Sequence, residues 1–294
     1  MEQRDLVIGA ITGYNWDQIK YWVNSLDRSG YTGTKAVLAY NVDYDTLEEL
    51  TKRNYAILAF QKDDLARRVT YPNKDFAIVV DRFLHYYLML DNPDNRRTIR
   101  YVVATDVRDV IFQTNPSKYL DHAYRRCLDL VVSSEGIAYQ HEPWGANNLL
   151  QAFGPIMYEQ HKENTIINCG VLAGKFDTFM GLCKSIYLLS HGTTQHVPGG
   201  GGPDQAALNL LLATAIYEHV TEVTTHQYPW AAQLGTMMDP RKLEAYKPFI
   251  TEKLPRFNTD TQQVVTPTIE APYCMVHQWD RVPEVKEAVE RLYA

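Results

Sequence analysis

Short apolar runs alternate with amphipathic stretches along the first third of the chain. The runs are rich in β-branched and aromatic residues and end at turn residues, so each one predicts a β-strand. These predicted strands are Leu6 to Ile11, Thr34 to Tyr40, Tyr55 to Phe60 and Tyr101 to Ala104. Apolar residues at helical spacing lie between them, from Trp16 to Leu26, Asp43 to Asn54 and Phe76 to Leu90. Because strand–helix–strand units cross over right-handed and build parallel sheets, the pattern predicts a Rossmann-like α/β fold, a mostly parallel sheet flanked by helices.

The rest of the chain continues this pattern less regularly. Further strands are predicted at 128–133 and 168–174, and further helices at 115–126, 176–190, 203–217 and 283–293. Between Glu135 and Asn148 the sequence is aromatic and aperiodic, which predicts a long loop of the kind that usually has a function. No repeat and no linker interrupts the 294 residues, so we predict a single domain.

Two carboxylates, Asp106 and Asp109, follow the apolar strand that ends at Ala104. Buried carboxylates cost free energy unless they have a cation, a donor or solvent, and open α/β sheets bind ligands at the carboxyl ends of their strands. A divalent metal would satisfy both groups, and their hard oxygen ligands suit Mg²⁺ or Mn²⁺. The alternative is that Asp106 caps a turn and Asp109 pairs with Arg108 or another cation.

Three further polar residues each allow two interpretations. Arg82, on a predicted helix, could reach a diphosphate or could extend along the surface. Asp204 begins a predicted helix after a run of glycines, where it could act in catalysis or only offset the helix dipole. His277 is a lone histidine near the end of the chain, and such residues are more often structural than ligands.

The composition excludes several classes of function. A net charge of −6 gives no basic field for nucleic acid or an anionic membrane. Four widely spaced cysteines form no CxxC pair, so neither a zinc site nor a redox site is predicted. No apolar run is long enough for a transmembrane helix or a signal peptide. If the native chain begins at Met1, these features predict a cytoplasmic protein.

Several short motifs occur in an order that resembles the GT-A class of nucleotide-sugar glycosyltransferases, in particular the glycosyltransferase domain of the collagen lysyl hydroxylase/glucosyltransferase family. The motifs are Asp106-Val107-Arg108-Asp109 as an Asp-x-x-Asp variant of DxD, Ser134-Glu135, Pro143-Trp144-Gly145, Asn168-Cys169-Gly170, Asp204-Gln205 and Val276-His277. They extend from about residue 6 to residue 280. The sequence departs from the family at Arg108, where the family has an aromatic residue, and at Gln278, where the family has a glycine.

The resemblance implies a metal-dependent glycosyltransferase that moves a sugar from a nucleoside-diphosphate sugar, most often a UDP-sugar, to a hydroxyl of a glycan or another acceptor. Residues 1–115 would form the nucleotide-binding half, and residues 116–294 the acceptor-binding half with a C-terminal closing segment. It implies Mn²⁺ or Mg²⁺ on Asp106, Asp109 and His277. It also implies a nucleotide site made of Ile11, Thr12, Gly13, Tyr14, Arg82, Asp106 and Arg108. Asp204 and Glu135 are the catalytic candidates, with Glu135 and Trp144 on the acceptor side.

Two other functions are compatible with parts of the pattern. A catalytically silent protein that binds nucleotide sugars or glycans would keep the same fold and the same motifs. A phosphatase of the haloacid dehalogenase type also has aspartates after its first strand, but it needs them near the N-terminus and two residues apart. Asp106 comes too late in the chain for that class, and its partner is three residues away.

Overall fold

The structure, a computed structural model, describes residues 3–71, 77–191 and 202–294. Phe76, where the third helix is predicted to begin, and the glycines at 199–201 lie outside these ranges. The strands of the described residues are, in chain order, β1 (Arg4–Thr12), β2 (Thr34–Tyr40), β3 (Ala56–Ala59), β4 (Gln61–Asp63), β5 (Arg68–Thr70), β6 (Ile99–Thr105), β7 (Val110–Phe112), β8 (Leu130–Ala138), β9 (Thr165–Lys175), β10 (Thr221–Thr224), β11 (Ala231–Gln233), β12 (Arg256–Asn258), β13 (Gln263–Val265) and β14 (Met275–His277).

A seven-stranded sheet forms the centre of the described structure, in the order β10-β8-β9-β6-β1-β2-β3. The neighbouring pairs β1–β2, β1–β6, β2–β3 and β8–β10 are parallel. Only β9 runs against its two neighbours in this sheet, β6 and β8. The predicted mostly parallel α/β sheet is therefore confirmed. Because β9 is antiparallel, its N-terminal half lies at the edge where β6 and β8 end, beside Asp106.

Helices cover both faces of this sheet. All helices of the described ranges are, in chain order, α1 (Trp16–Arg28), α2 (Tyr44–Lys52), α3 (Ala77–Leu90), α4 (Pro93–Thr98), α5 (Pro116–Arg125), α6 (Pro143–His161), α7 (Phe176–His191), α8 (Asp204–Leu212), α9 (Ala215–Glu218), α10 (Leu234–Met237), α11 (Leu243–Tyr246) and α12 (Pro283–Leu292), of which α12 packs beside the small sheet described below. The helix α1 begins at a capping box. The Asn15 side chain accepts from the backbone N–H of Gln18, and the Gln18 side chain accepts from the backbone N–H of Asn15.

The strands alternate between two hydrophobic cores, as side chains on a pleated sheet must. Ile8 and Val102 face one core, which is closed by α3, α7 and α8. Val7 and Val103 face the other, which is closed by α1, α2 and α5 and contains the fully buried Trp22. Burial on both faces explains why these strands read as continuous apolar runs in the sequence.

A second, smaller sheet lies beside the carboxyl edge of the first. It consists of β7, β11 and β14, three residues each, in the order β11-β14-β7. The strand β14 pairs in parallel with β11 and antiparallel with β7. Two antiparallel hairpins, β4–β5 and β12–β13, complete the strands of the described ranges.

One local prediction is wrong. The segment between Glu135 and Asn148, predicted as a long loop, continues as β8, a short 3-10 turn and then the helix α6 from Pro143. A proline at the first helical position and Glu142 at the N-cap start this helix, and the Glu142 carboxylate accepts from Gly145 N. Of the two aromatic residues, Tyr139 packs in a core and Trp144 lines the cleft, so their spacing carried no helical period. No helix of the described ranges is both long and apolar enough to cross a membrane.

Candidate active site

The candidate site lies at the carboxyl edge of the large sheet, where β6 ends. The backbone N–H of Asp106 donates to the carbonyl of Gly170 on β9 at 2.8 Å, which fixes the start of the Asp-x-x-Asp turn. One residue earlier, Thr105 accepts from the buried indole N–H of Trp22 at 2.8 Å. The end of β6 is thus held by a neighbouring strand of the same sheet and by a helix packed against it.

The structure brings Asp106, Asp109 and His277 together. Ligand atoms of all three lie within 4.8 Å of one another. His277 Nε2 is 3.6 Å from Asp106 Oδ2 and 3.7 Å from Asp109 Oδ1. His277 and Asp109 are buried, whereas the Asp106 side chain is 35% exposed and open to the cleft. Two carboxylates and one imidazole on one side of an open cleft fit a divalent ion of the Mn²⁺ type, because Mg²⁺ prefers oxygen ligands alone.

The small sheet explains how His277 reaches the two aspartates. In β14, His277 is paired with Val110 of β7, the residue that follows Asp109. The backbone N–H of Gln278 then donates to the carbonyl of Asp109 at 2.7 Å. Two of the three candidate ligands are therefore held by the same backbone hydrogen bonds, although more than half of the chain separates them in sequence.

The Asn168-Cys169-Gly170 motif packs against His277 and connects it to Glu135. A Cβ atom on Gly170 would lie 2.5 Å from His277 Cε1 and 2.8 Å from its Nε2, so only glycine leaves room for the imidazole. Asn168 accepts from the backbone N–H of Gly170 at 2.7 Å and donates to the Glu135 carboxylate at 2.8 Å. The motif therefore joins the metal-ligand candidates to Glu135 on β8.

Arg82 on α3 is ion-paired within the site. Its guanidinium contacts Asp106 at 2.6 Å and Asp204 at 2.9 Å, and all three side chains line the cleft. Asp204 is the first residue of α8, as predicted, and it is buried. Arg82 thus bridges a candidate metal ligand and a candidate catalytic carboxylate inside the cleft, and it does not extend along the surface.

Electrostatics in the cluster favour a positive charge between the carboxylates. Burial opposes ionisation of Asp106, but Arg82 and His277 outweigh it and hold its pKa well below the usual value. Burial raises the pKa of Asp109, with His277 opposing the rise. Burial also disfavours the charged form of His277, but Asp106 and Asp109 raise its pKa overall. A bound divalent cation would supply the charge that the proton supplies here.

Asp109 has one further cation nearby, Arg108, whose Nη2 atom lies 3.4 Å from its carboxylate. The Arg108 side chain is 42% exposed, and exposed ion pairs contribute little to stability. The predicted alternative, an Asp109–Arg108 pair, is therefore present as a contact but leaves the other oxygen of Asp109 facing His277.

Two connected clefts lie on either side of the Asp106–Asp109 turn. The larger has a volume of about 450 Å³ and is lined by Glu135, Trp144, Asp204 and His277, among others. The smaller has a volume of about 220 Å³. It is lined by Ala10, Thr12, Tyr14, Ile78, Val79, Arg82, Asp106, Val107, Arg108 and Asp109. Of the predicted nucleotide residues, Thr12, Tyr14 and Arg108 line only the smaller cleft, whereas Arg82 and Asp106 line both. The predicted acceptor residues Glu135 and Trp144 line only the larger cleft.

The side chain of Ile11 corrects the sequence analysis. It is fully buried in the core on the Trp22 side of the sheet, because alternation along β1 turns Ala10 and Thr12, and not Ile11, toward the cleft. Gly13 follows with a φ of 65°, a left-handed conformation that favours glycine, and its N–H donates to Tyr40 O at 3.0 Å. Gly13 therefore turns the chain so that Tyr14 reaches the smaller cleft.

Sequence reasoning missed a polar wall of the larger cleft. Its lining residues are Asp239, Arg241, Lys242, Gln278 and Arg281. All five lie between the helices predicted at 203–217 and 283–293, where the sequence analysis gives no strand or helix. Gln278 adopts a φ of 58°, the left-handed region that favours glycine, directly after His277. The hydrophobic pattern of a sequence does not show a backbone angle of this kind, so the position of Gln278 could not be predicted from it.

Comparisons with known proteins bear on the fold. No model of a known protein family matches the sequence, and no curated protein sequence matches it. Among solved structures, the chain is similar to mouse xyloside xylosyltransferase 1 in its apo form, with a TM-score of 0.50 and 11% identity. The match covers 94% of this chain and 97% of that chain.

The chain has a GT-A glycosyltransferase fold. At 11% identity, this similarity concerns architecture and not substrates. The GT-A part of the predicted resemblance is therefore confirmed as a fold, and the resemblance to the lysyl hydroxylase family stays a prediction.

Proposed function

We propose that this protein is a metal-dependent glycosyltransferase that uses a nucleoside-diphosphate sugar as donor and a hydroxyl of a glycan or another acceptor. The observation that carries the proposal is the cluster of Asp106, Asp109 and His277 at the carboxyl edge of a GT-A sheet, open to a cleft. Asp106, Asp109 and His277 would hold Mn²⁺, or Mg²⁺ with weaker affinity. Bound there, the ion would neutralise the diphosphate leaving group as the anomeric bond breaks.

The smaller cleft suits the nucleotide. Thr12 and Tyr14 offer a hydroxyl and a ring at the end of β1, and Arg108 offers a partly exposed guanidinium beside the metal ligands. Base and ribose would contact Thr12 and Tyr14, and the diphosphate would lie toward Arg108 and the metal. Uridine diphosphate is the nucleotide we propose. Arg82 would act mainly by holding Asp106 and Asp204 in place, since both ends of its guanidinium are already paired.

The larger cleft suits the transferred sugar and the acceptor. Trp144 gives an aromatic surface of the kind that stacks on sugar rings, and Asp204 lies beside Arg82 near the metal ligands. Burial raises the pKa of Glu135 to about 7, although the hydrogen bond from Asn168 opposes the rise. A carboxyl group that titrates near neutral pH suits proton transfer with an acceptor hydroxyl. We therefore propose Glu135 and Asp204 as the catalytic carboxylates.

A donor screen with direct product detection tests the proposal. The full chain would be incubated with Mn²⁺ and each of a panel of nucleoside-diphosphate sugars, including xylose donors because the structural neighbour is named for xylosyl transfer. Slow release of free nucleoside diphosphate from one donor, abolished by EDTA and restored by added Mn²⁺, is expected.

Two other outcomes have defined meanings. Binding of a nucleotide sugar without any hydrolysis or transfer would favour the catalytically silent binding protein. Full turnover in protein that has been shown to be free of metal would contradict the metal-dependent mechanism, whatever the donor.

A further inference from the structure

One buried glutamine, Gln233, lies between two buried histidines. Its side-chain oxygen Oε1 is 2.7 Å from His277 Nδ1, and its backbone N–H donates to His226 Nε2 at 3.1 Å. All three residues are buried, and Gln233 is paired with His277 in the parallel register of β11 and β14. Gln233 is therefore held through its backbone by one histidine and holds the other through its side chain.

The contact fixes which nitrogen of His277 can bind a cation. With the amide oxygen of Gln233 assigned to this contact, Oε1 can only accept, so the ring hydrogen of His277 lies on Nδ1. The other nitrogen, Nε2, then faces Asp106 and Asp109. A metal-binding imidazole generally donates its second N–H to an oxygen acceptor in this way, which sets the ring orientation and increases the basicity of the ligand nitrogen.

A second layer of hydrogen bonds holds His226. Its Nδ1 lies 2.8 Å from Glu252 Oε2, which also accepts the backbone N–H of His226 at 2.7 Å. The other oxygen of Glu252 accepts from Ser134 Oγ at 2.5 Å. Because His226 Nε2 accepts from Gln233, its ring hydrogen lies on Nδ1 and points at Glu252.

This chain of contacts begins beside a predicted catalytic residue and ends on a metal-ligand candidate. Ser134 immediately precedes Glu135 on β8, and the path then runs through Glu252, His226 and Gln233 to His277. Ser134, Glu252, His226 and Gln233 do not line the cleft, and of these four only Gln233 contacts the His277 imidazole. None of them has a role in the chemistry proposed above.

We propose that Gln233 is a positioning residue that fixes the ring and tautomer of His277 for metal binding, and that His226, held by Glu252, fixes Gln233. This rests on the proposed metal dependence and adds a requirement to it. The expected consequence is that metal affinity depends on residues that never contact the metal.

The test measures Mn²⁺ affinity of the full chain by calorimetry for Gln233→Met and for a matched control, Gln113→Met. Gln113 is also a glutamine beside the small sheet, and its side chain bonds the backbone of Val264 and Tyr273 instead of a histidine. Gln233→Met should weaken Mn²⁺ binding roughly 10- to 100-fold, the usual effect of losing the partner of a ligand histidine. Gln113→Met should lower the melting temperature and leave Mn²⁺ affinity within about twofold, because its side chain bonds neither a histidine nor a metal-ligand candidate.

A conservative variant and a double-mutant cycle separate positioning from general damage. Gln233→Glu keeps an acceptor for the Nδ1–H of His277, so its Mn²⁺ affinity should stay within a few-fold of wild type. If Gln233→Met does not fold, the comparison of Gln233→Glu with His226→Phe still tests the proposal. His226→Phe should weaken Mn²⁺ binding, and adding it to Gln233→Met should cause no further loss, because both act through one contact.

Several results would overturn the proposal. Equal losses in Gln233→Met and Gln113→Met would mean general destabilisation, and an unchanged affinity in Gln233→Met would remove the positioning role while metal dependence stands. Equal losses in Gln233→Glu and Gln233→Met, or additive losses in the cycle, would exclude the stated path. Nitrogen NMR of metal-free wild type, at a pH high enough for the His277 ring to be neutral, should find its single hydrogen on Nδ1, and a neutral ring with its hydrogen on Nε2 would contradict the assignment. A wild type that binds no Mn²⁺ at all would remove the proposed function as well.

Discussion

The large and the small sheet differ in what holds them together and in what they hold. The seven-stranded sheet is buried on both faces by extended hydrophobic cores, and its strands bring Thr12, Asp106 and Glu135 to one edge. The small sheet has three strands of three residues, and it brings His277 and Asp109 to the same place. The small sheet shares a hydrophobic core with the large one through Val110, Phe112 and Met275, but its own strand pairing, and not the long strands, places His277 beside Asp109. Variants in the core of the large sheet should therefore change stability, and variants of the residues that hold or contact His277 and Asp109 should change metal binding.

The largest expected effect comes from Asp109, the ligand candidate at the start of β7. Asp109→Asn removes an anionic ligand and should reduce turnover on the order of a thousandfold in steady-state assays with saturating Mn²⁺. Because burial raises the pKa of Asp109, its ionised form is costly in the metal-free protein, so the apo melting temperature should stay the same or rise.

A matched control is Asp129→Asn, which removes a carboxylate paired with Lys175 at the far end of the large sheet. It should leave turnover within about twofold, as surface ion pairs contribute little. A similar loss of turnover in both variants would contradict the division between the two sheets.

Gly170 tests the contact between the sheets. Gly170→Ala would place a methyl group against the ligand nitrogen of His277, and a displacement of about 1 Å at a reacting centre can cost about a hundredfold in rate. We expect such a loss together with weaker Mn²⁺ binding, measured by calorimetry.

The control for that variant lies four residues along the same strand. Gly174→Ala would crowd Leu130 and Phe179 in the large-sheet core, and so it should lower the melting temperature without changing Mn²⁺ affinity. If Gly174→Ala weakened Mn²⁺ binding as much as Gly170→Ala, strain in β9 and not the contact with His277 would be responsible.

The smallest expected effect is on stability, measured apart from turnover, and it comes from Glu135 in the large sheet. Its folded pKa is raised to about 7 from an ordinary value of 4.5, so the buried ionised form destabilises the fold increasingly between those two pH values. Glu135→Gln should therefore match wild type near pH 4 and be more stable above pH 7, by at most about 3 kcal/mol for a shift of this size. Urea unfolding at both pH values measures the difference. A variant that is less stable than wild type at pH 8 would contradict the raised pKa.

The sequence predicted the large sheet well because its signals are local. Runs such as Thr34 to Tyr40 are apolar, β-branched and bounded by turn residues, and the structure has that strand with the same ends. The carboxylates at 106 and 109 were found for the same reason, as polar residues directly after a buried strand.

The small sheet could not be derived in the same way. Strands of three residues are too short to show a periodic pattern, and β7 pairs with β14 across more than half of the chain. His277 was assigned to the cluster through the resemblance and not through its own spacing. Gln233 was missed altogether, because what makes it notable is a partner that it contacts only in the folded chain. Gln278 was noted only as a departure from the family's glycine, and its left-handed backbone angle is seen only in the structure.

The central claim is that His277 completes a metal site with Asp106 and Asp109. Titration of the metal-free full chain with Mn²⁺, followed by electron paramagnetic resonance of the free ion, tests it directly. Wild type should bind one Mn²⁺ per chain, and binding should tighten with uridine diphosphate. His277→Ala, shown to be folded by circular dichroism, should lose that binding by a factor of about a hundred or more, as expected when an actual ligand is removed and not only its supporting partner. Wild-type protein that binds no Mn²⁺, or His277→Ala that binds it as tightly as wild type, would contradict the claim.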